Sequence, residues 1–140
     1  MANKIKDVMT PDPVALPTSS TLTDAARAMR ESDIGDVIVL EDSGQVCGIV
    51  TDRDIVIRAL AEGREAGTTT LGDICTRGLE TLSAEDSVTD AVRLMSSKAI
   101  RRVPVVDGGK PVGIVTIGDL AIEQDPDSAL ADISEAKPNR

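Results

Sequence analysis

GIVTDRDI at residues 48–55 and GIVTIGDL at residues 113–120 are one phrase written twice in a chain of 140 residues. In each, a glycine and two β-branched apolar residues lead into Thr-x-x-Asp. The apolar run reads as a strand. A Thr followed three residues later by an acid, ahead of further apolar residues, reads as a helix start. The Thr oxygen takes a backbone N–H there, and the carboxylate takes the N–H of the Thr. The phrase is therefore a strand-to-helix junction, used twice.

Working outward, the copies extend far beyond these eight residues. DVMTPDPVALPTSSTLTDAARAM aligns without a gap on DICTRGLETLSAEDSVTDAVRLM at an offset of 66, from Asp7 to Asp73. Past Ile34 and Ile100 the offset becomes 65, from Gly48 to Gly113, because the turn EDSGQ is one residue longer than DGGK. Turns are where a duplicated fold tolerates a length change. Each copy opens with a brief strand (Pro13–Leu16; Leu79–Leu82). A helix follows, with apolar residues at i, i+3, i+4 and i+7: Leu22, Ala25, Ala26 and Met29, then Val88, Ala91, Val92 and Met95. VIVLEDSGQVCGIVT and VPVVDGGKPVGIVT read as β-hairpins around glycine-containing turns. DRDIVIRALAEG and IGDLAIEQ read as second helices. Short helical turns are expected before each copy, within 2–9 and 70–75. The fold class is α+β: two β-α-β-β-α repeats, 1–66 and 67–124, packed sheet to sheet with pseudo-two-fold symmetry. VIVL is apolar at every position, so it should be covered on both faces. Residues 125–140 form an acidic tail, with a short helix from Ser128 to Ala136 as one reading and disorder as another.

Composition narrows the function. Phe, Tyr, Trp and His are absent, and the formal net charge is −9. An acidic chain without aromatic stacking faces is a poor nucleic-acid binder. Without His, the commonest general base and metal ligand is missing. No nucleophile–base pair stands out, so no catalytic residue is assigned and the chain is read as not an enzyme. Cys47 and Cys75 form no zinc motif or disulfide framework and read as small buried hydrophobes. Asp52-Arg53-Asp54 diverges along a helix start and reads as solvated rather than metal-binding. No signal peptide and no apolar run near 18 residues is present, which points to a cytoplasmic protein with no membrane partner.

Thr-x-x-Asp alone says only that a helix begins. Thr21-x-x-Asp24 and Ser87-x-x-Asp90 fit the same pattern. The repeated phrase adds Gly48 and Gly113 within a strand, which often marks close approach of a backbone or a ligand. It also brings a hydroxyl, a carboxylate and an apolar strip (Ile49, Val50; Ile114, Val115) to a helix N-terminus, where phosphate is favoured. A nucleoside phosphate suits such a set, its ribose on the carboxylate.

DVMT, the strand VPVV after Arg101-Arg102, and both GIVT-x-x-D phrases together resemble the cystathionine-β-synthase-like (CBS) domain, in the tandem pair called a Bateman module. The resemblance covers about residues 5–122. It implies a non-catalytic sensor that binds an adenosine-containing ligand (AMP, ADP, ATP, S-adenosylmethionine or NAD) in crevices between the repeats, without a required cofactor. It assigns the ribose to Asp54 and Asp119, and phosphate contacts to Thr51, Thr116 and a basic residue before the second strand, here Arg101 or Arg102. It further implies a homodimer that signals in trans to a protein partner. The copies differ at the assigned places. Gly35 and Asp36 align with Arg101 and Arg102, while Arg53 aligns with Gly118. One good site and one weak or empty site are expected. The alternative reading is an interaction protein with vestigial crevices, acting through its dimer surface.

Overall fold

A computed structural model of the chain describes residues 4–124 and residue 133. The elements in chain order are α1 (Ile5–Val8), β1 (Thr10–Pro11), β2 (Ala15–Pro17), α2 (Leu22–Ser32), β3 (Asp36–Leu40) and β4 (Val46–Thr51). Next come α3 (Asp52–Asp54), which runs on as a π-helical stretch Ile55–Leu60, then α4 (Leu71–Ile74), β5 (Thr76–Arg77), β6 (Leu82–Ser83) and α5 (Val88–Lys98). The chain continues through β7 (Arg102–Asp107), β8 (Lys110–Thr116) and α6 (Ile117–Gln124). The tail helix expected at 128–136 lies outside the described residues, Ile133 excepted.

The fold is α+β with two four-stranded sheets, ordered β2-β3-β4-β5 and β1-β8-β7-β6. The sequence led to three strands per copy. The fourth in each sheet is a two-residue strand from the segment ahead of the other copy: β5 pairs with β4, and β1 with β8. The described residues accordingly divide into one compact unit of Pro13–Leu79 with the turn Gly108–Lys110, and another of residues 4–12, Glu80–Asp107 and residues 111–124. These units cut the chain differently from the repeat boundaries 1–66 and 67–124.

In the first unit, Leu22, Ala25 and Met29 of α2 pack with Val37, Val39, Val50, Ala59, Leu71, Ile74 and Cys75. In the second, Val88, Ala91 and Met95 of α5 pack with Ile5, Leu82, Val103, Val105, Val115 and Leu120. Ala26 and Val92, expected on the buried stripe, are exposed; Ala28 and Leu94 pack against the cores instead. Each helix is rolled toward that side. Ile38 and Ile49 are register partners outside the first core cluster, yet both are buried, so β3 is covered on both faces as its unbroken apolar run implied.

The strand glycines answer a backbone requirement. A Cβ at Gly48 would collide with the Thr76 carbonyl oxygen of β5 and stand 3.2 Å from Cys75 Sγ. A Cβ at Gly113 would collide with Met9 Sδ and stand 3.0 Å from the Thr10 carbonyl oxygen. Of the two causes a strand glycine suggests, close approach of a neighbouring backbone is the one observed. Both long helices end in a left-handed residue, Asp33 and Ala99. Behind each, an N–H reaches back to a helix carbonyl: Ile34 to Met29 at 3.0 Å and Ile100 to Met95 at 3.1 Å. Aspartate tolerates that conformation better than alanine does.

Two opposite stability changes follow, measurable by far-ultraviolet circular dichroism on heating. Ala99→Gly relieves the Cβ strain and should stabilise by about 1 kcal/mol. Gly48→Ala has a backbone atom in its way, so it should destabilise by roughly 1–3 kcal/mol. Gly113→Ala should cost less than Gly48→Ala, because its closest neighbour is a flexible methionine.

Candidate functional site

Both repeated phrases fold as the same junction. Thr51 N–H donates to Asp54 Oδ2 at 2.9 Å, and Asp54 N–H donates to Thr51 Oγ1 at 3.0 Å. In the second copy the distances are 2.9 Å (Thr116 N–H to Asp119 Oδ2) and 3.1 Å (Asp119 N–H to Thr116 Oγ1). These reciprocal bonds satisfy helix-start donors. They do not consume the whole set: each Thr hydroxyl still has its hydrogen to donate, and Asp119 keeps Oδ1, while Asp54 Oδ1 faces Arg58. The capping and ligand-binding readings are therefore compatible. The related start at Ser87 is only half a box, with Asp90 N–H donating to Ser87 Oγ at 3.0 Å.

Around the second junction, Arg101, Arg102, Thr116 and Asp119 line one cavity of about 380 Å³ with Ile117, Gly118 and Ile122. Four of the residues singled out in the sequence thus share one concavity. Ile114 is buried in β8 and is not among its lining residues; Ile117 and Ile122 supply the apolar wall. A second hollow of about 190 Å³ is lined by Asp119 and Ile122 with Asp7 and Val8 of α1. Neither the α6 isoleucines nor α1 was assigned from sequence. The signal for Ile122 was its spacing, one turn beyond Asp119.

The first junction is built differently. Its cavity, also about 380 Å³, is lined by Asp52, Arg53, Val56 and Ile57. Arg53 takes part, but Thr51, Asp54 and the buried Ile49 do not line it. A side-chain carbon at Gly35 would lie 3.2 Å from Asp52 Oδ2. The place aligned with Arg101 thus faces a carboxylate. Asp54 Oδ1 lies 3.7 Å from Arg58 Nε.

The acids at these helix starts diverge in proton affinity. Hydrogen bonds from Thr21 hold Asp24 below the usual carboxylate range, and hydrogen bonds from Thr70 do the same for Asp73. Burial pushes Asp119 up, against the lowering effect of its bonds from Thr116. Elsewhere, Cys47 and Cys75 place their sulfurs 4.0 Å apart, and Arg77 Nη1 donates to Cys47 Sγ at 2.7 Å. Burial pushes the Cys47 thiol up to about 12, with Glu41 and Cys75 adding to the shift and Arg77 opposing it. Among the described residues, no group of three or more Cys, Asp or Glu is placed to hold a metal ion. None of their helices is long and apolar enough to cross a membrane.

The family model for the CBS domain matches residues 5–60 and again 71–124. The chain belongs to the CBS-domain family. As a CBS pair it is 37% identical over 136 residues to the CBS domain-containing protein YhcV of Bacillus subtilis, covering 94% of this chain and 96% of that one. It is 37% identical to hypoxic response protein 1 of Mycobacterium tuberculosis, covering 83% and 81%. A crystal structure of hypoxic response protein I with two coordinated zinc ions superposes at a TM-score of 0.77, with 36% identity, 84% of this chain and 96% of that one. The CBS domain pair of protein MJ0100, in complex with 5′-methylthioadenosine and S-adenosyl-L-methionine, superposes at 0.80. It is 27% identical, with 91% of this chain and all of that one covered (100%).

The pKa directions carry opposite consequences for stability. Asp24 and Asp73 stabilise above their unfolded pKa, and that contribution is lost as pH falls through their lowered folded values. Asp119 binds its proton more tightly when folded. It therefore costs stability once ionised, and the cost is relieved as pH falls through its raised value. Carbon-detected NMR titration of the side-chain carboxyls should place Asp24 and Asp73 below, and Asp119 above, ordinary aspartate. Asp119→Asn should remove the fall in stability that accompanies ionisation of Asp119.

Proposed function

We propose that this CBS pair is a non-catalytic regulatory module that binds an adenosine-containing ligand at the second-copy junction and signals in trans to a protein partner. The observation that carries the reading is the cavity shared by Arg101, Arg102, Thr116 and Asp119. Guanidinium groups recognise phosphate through charge-assisted hydrogen bonds. The Thr116 hydroxyl supplies one more donor, and Asp119 Oδ1 an acceptor for a ribose diol. Ile117 and Ile122 offer an aliphatic wall to a base. The arginines favour phosphate-bearing ligands (AMP, ADP, ATP, NAD) over S-adenosylmethionine, although the MJ0100 pair, which binds the latter, shows that CBS pairs accept adenosyl groups without phosphate. Thr51, Asp54 and Arg53 form the weaker counterpart.

A second reading is a module acting through protein contacts, as a homodimer with vestigial ligand sites. Val56, Ile57 and Leu60, exposed at 52%, 49% and 60%, support it. Such apolar exposure on one helical stretch suits a protein interface.

Calorimetric titration with AMP, ATP, NAD and S-adenosylmethionine decides between them. The wild type should bind at least one, and Asp119→Asn should weaken that binding roughly tenfold or more, the worth of a lost hydrogen bond to a charged group. Unchanged binding by Asp119→Asn overturns the residue assignment. Silence of the wild type toward every ligand favours the second reading, which sedimentation of wild type and Val56→Ser/Leu60→Ser would then test.

A further inference from the structure

We propose that Arg58 is the specificity-determining residue that makes the two copies unequal, by occupying Asp54 and so closing the first-copy junction to a ligand. The inference rests on the ligand-binding reading above and extends it to a residue outside the repeated phrase.

Arg58 sits one turn beyond Asp54, at i+4, where an acid and a base on one helix meet. Its Nε lies 3.7 Å from Asp54 Oδ1, while Asp54 Oδ2 already accepts the Thr51 N–H at 2.9 Å. One oxygen of the carboxylate is thereby hydrogen-bonded, and the other faces a guanidinium at ion-pair distance. A half-exposed ion pair alone is a weak constraint. Here the guanidinium has a second anchor, because Nη1 donates to the Ile74 carbonyl oxygen at 3.1 Å. Ile74 ends α4, where helix carbonyls lack intrahelical partners. The Asp54 side chain is 16% exposed, so little water competes for it.

The second copy shows what the guanidinium displaces. Under the repeat alignment Asp54 corresponds to Asp119, Ile57 to Ile122, Asp73 to Asp7, Ile74 to Val8 and Arg58 to Glu123. Asp119, Ile122, Asp7 and Val8 together line the hollow of about 190 Å³. Arg58 bridges Asp54 and Ile74, the counterparts of Asp119 and Val8. It therefore spans, in the first copy, the place that is open space in the second. Among the described residues, Asp119 has no such cation partner. A ribose diol seeking Asp54 must displace the guanidinium held beside it by the Ile74 carbonyl; one seeking Asp119 need not.

The test is AMP titration with stoichiometry as the readout, with folding checked by circular dichroism. Arg58→Met keeps the aliphatic stem and removes the guanidinium. It should gain one AMP site per chain over the wild type, and Asp54→Asn in the same background should remove the gained site. Glu123→Arg installs the cation in the second copy and should weaken AMP binding there tenfold or more. If Arg58→Met binds no more AMP than the wild type, the proposal is overturned. A wild type that binds no AMP counts against the functional reading alone. The proposal then stands if Arg58→Met gains a site and falls if it stays silent.

Discussion

The reciprocal pair of hydrogen bonds between a threonine and the aspartate three residues on is the constraint from which the rest of each site follows. It stops the hairpin's last strand and turns the chain into a helix at one fixed residue. It also fixes the rotamers of both side chains. A strand crowded by its neighbour, as at Gly48 and Gly113, leaves no freedom to shift that point along the chain. A threonine hydrogen and one carboxylate oxygen are consequently presented at a defined place. The capping geometry that stabilises the fold also fixes where this polar pair stands.

From an identical junction the two copies diverge through their neighbours. Two arginines stand before the second strand of the hairpin in the second copy, and a glycine and an aspartate stand there in the first. The helix start is Asp-Arg-Asp in the first copy and Ile-Gly-Asp in the second. The second cavity is therefore arginine-lined around a carboxylate that burial pushes toward its neutral form. In the first, Asp52 faces Gly35 and Arg58 reaches Asp54. Duplication preserved the backbone grammar, and a few charged substitutions separated the chemistry.

Much of the candidate site was legible before any coordinates. Arg101, Arg102, Thr116 and Asp119 stand apart in type and spacing, and they do share a cavity. Ile114 is buried in β8 and does not line that cavity, since alternation along a strand does not reveal which neighbour covers a given face. Ile117 and Ile122, from the following helix, form the wall instead. The Arg58–Asp54 pair was legible, as an acid and a base at i and i+4. The second anchor of Arg58, the Ile74 carbonyl, comes from 16 residues further on and leaves no trace in local pattern.

The sequence by itself determined the duplication, the order of helices and hairpins, the helix starts and the covered strand β3. Each of these is set by side chains within a few residues of one another, through periodicity, capping or turn chemistry. Only the tertiary structure decided that the segment ahead of each copy completes the other copy's sheet. The strands that do so are two residues long, too short to show alternation, and their partners lie far along the chain. It decided, too, that helix-start hydrogen bonds hold Asp24 and Asp73 low and leave Asp119 high. In each, the carboxylate accepts the N–H of the threonine three residues before it. Burial is supplied by whatever packs alongside, and that is a property of the folded chain.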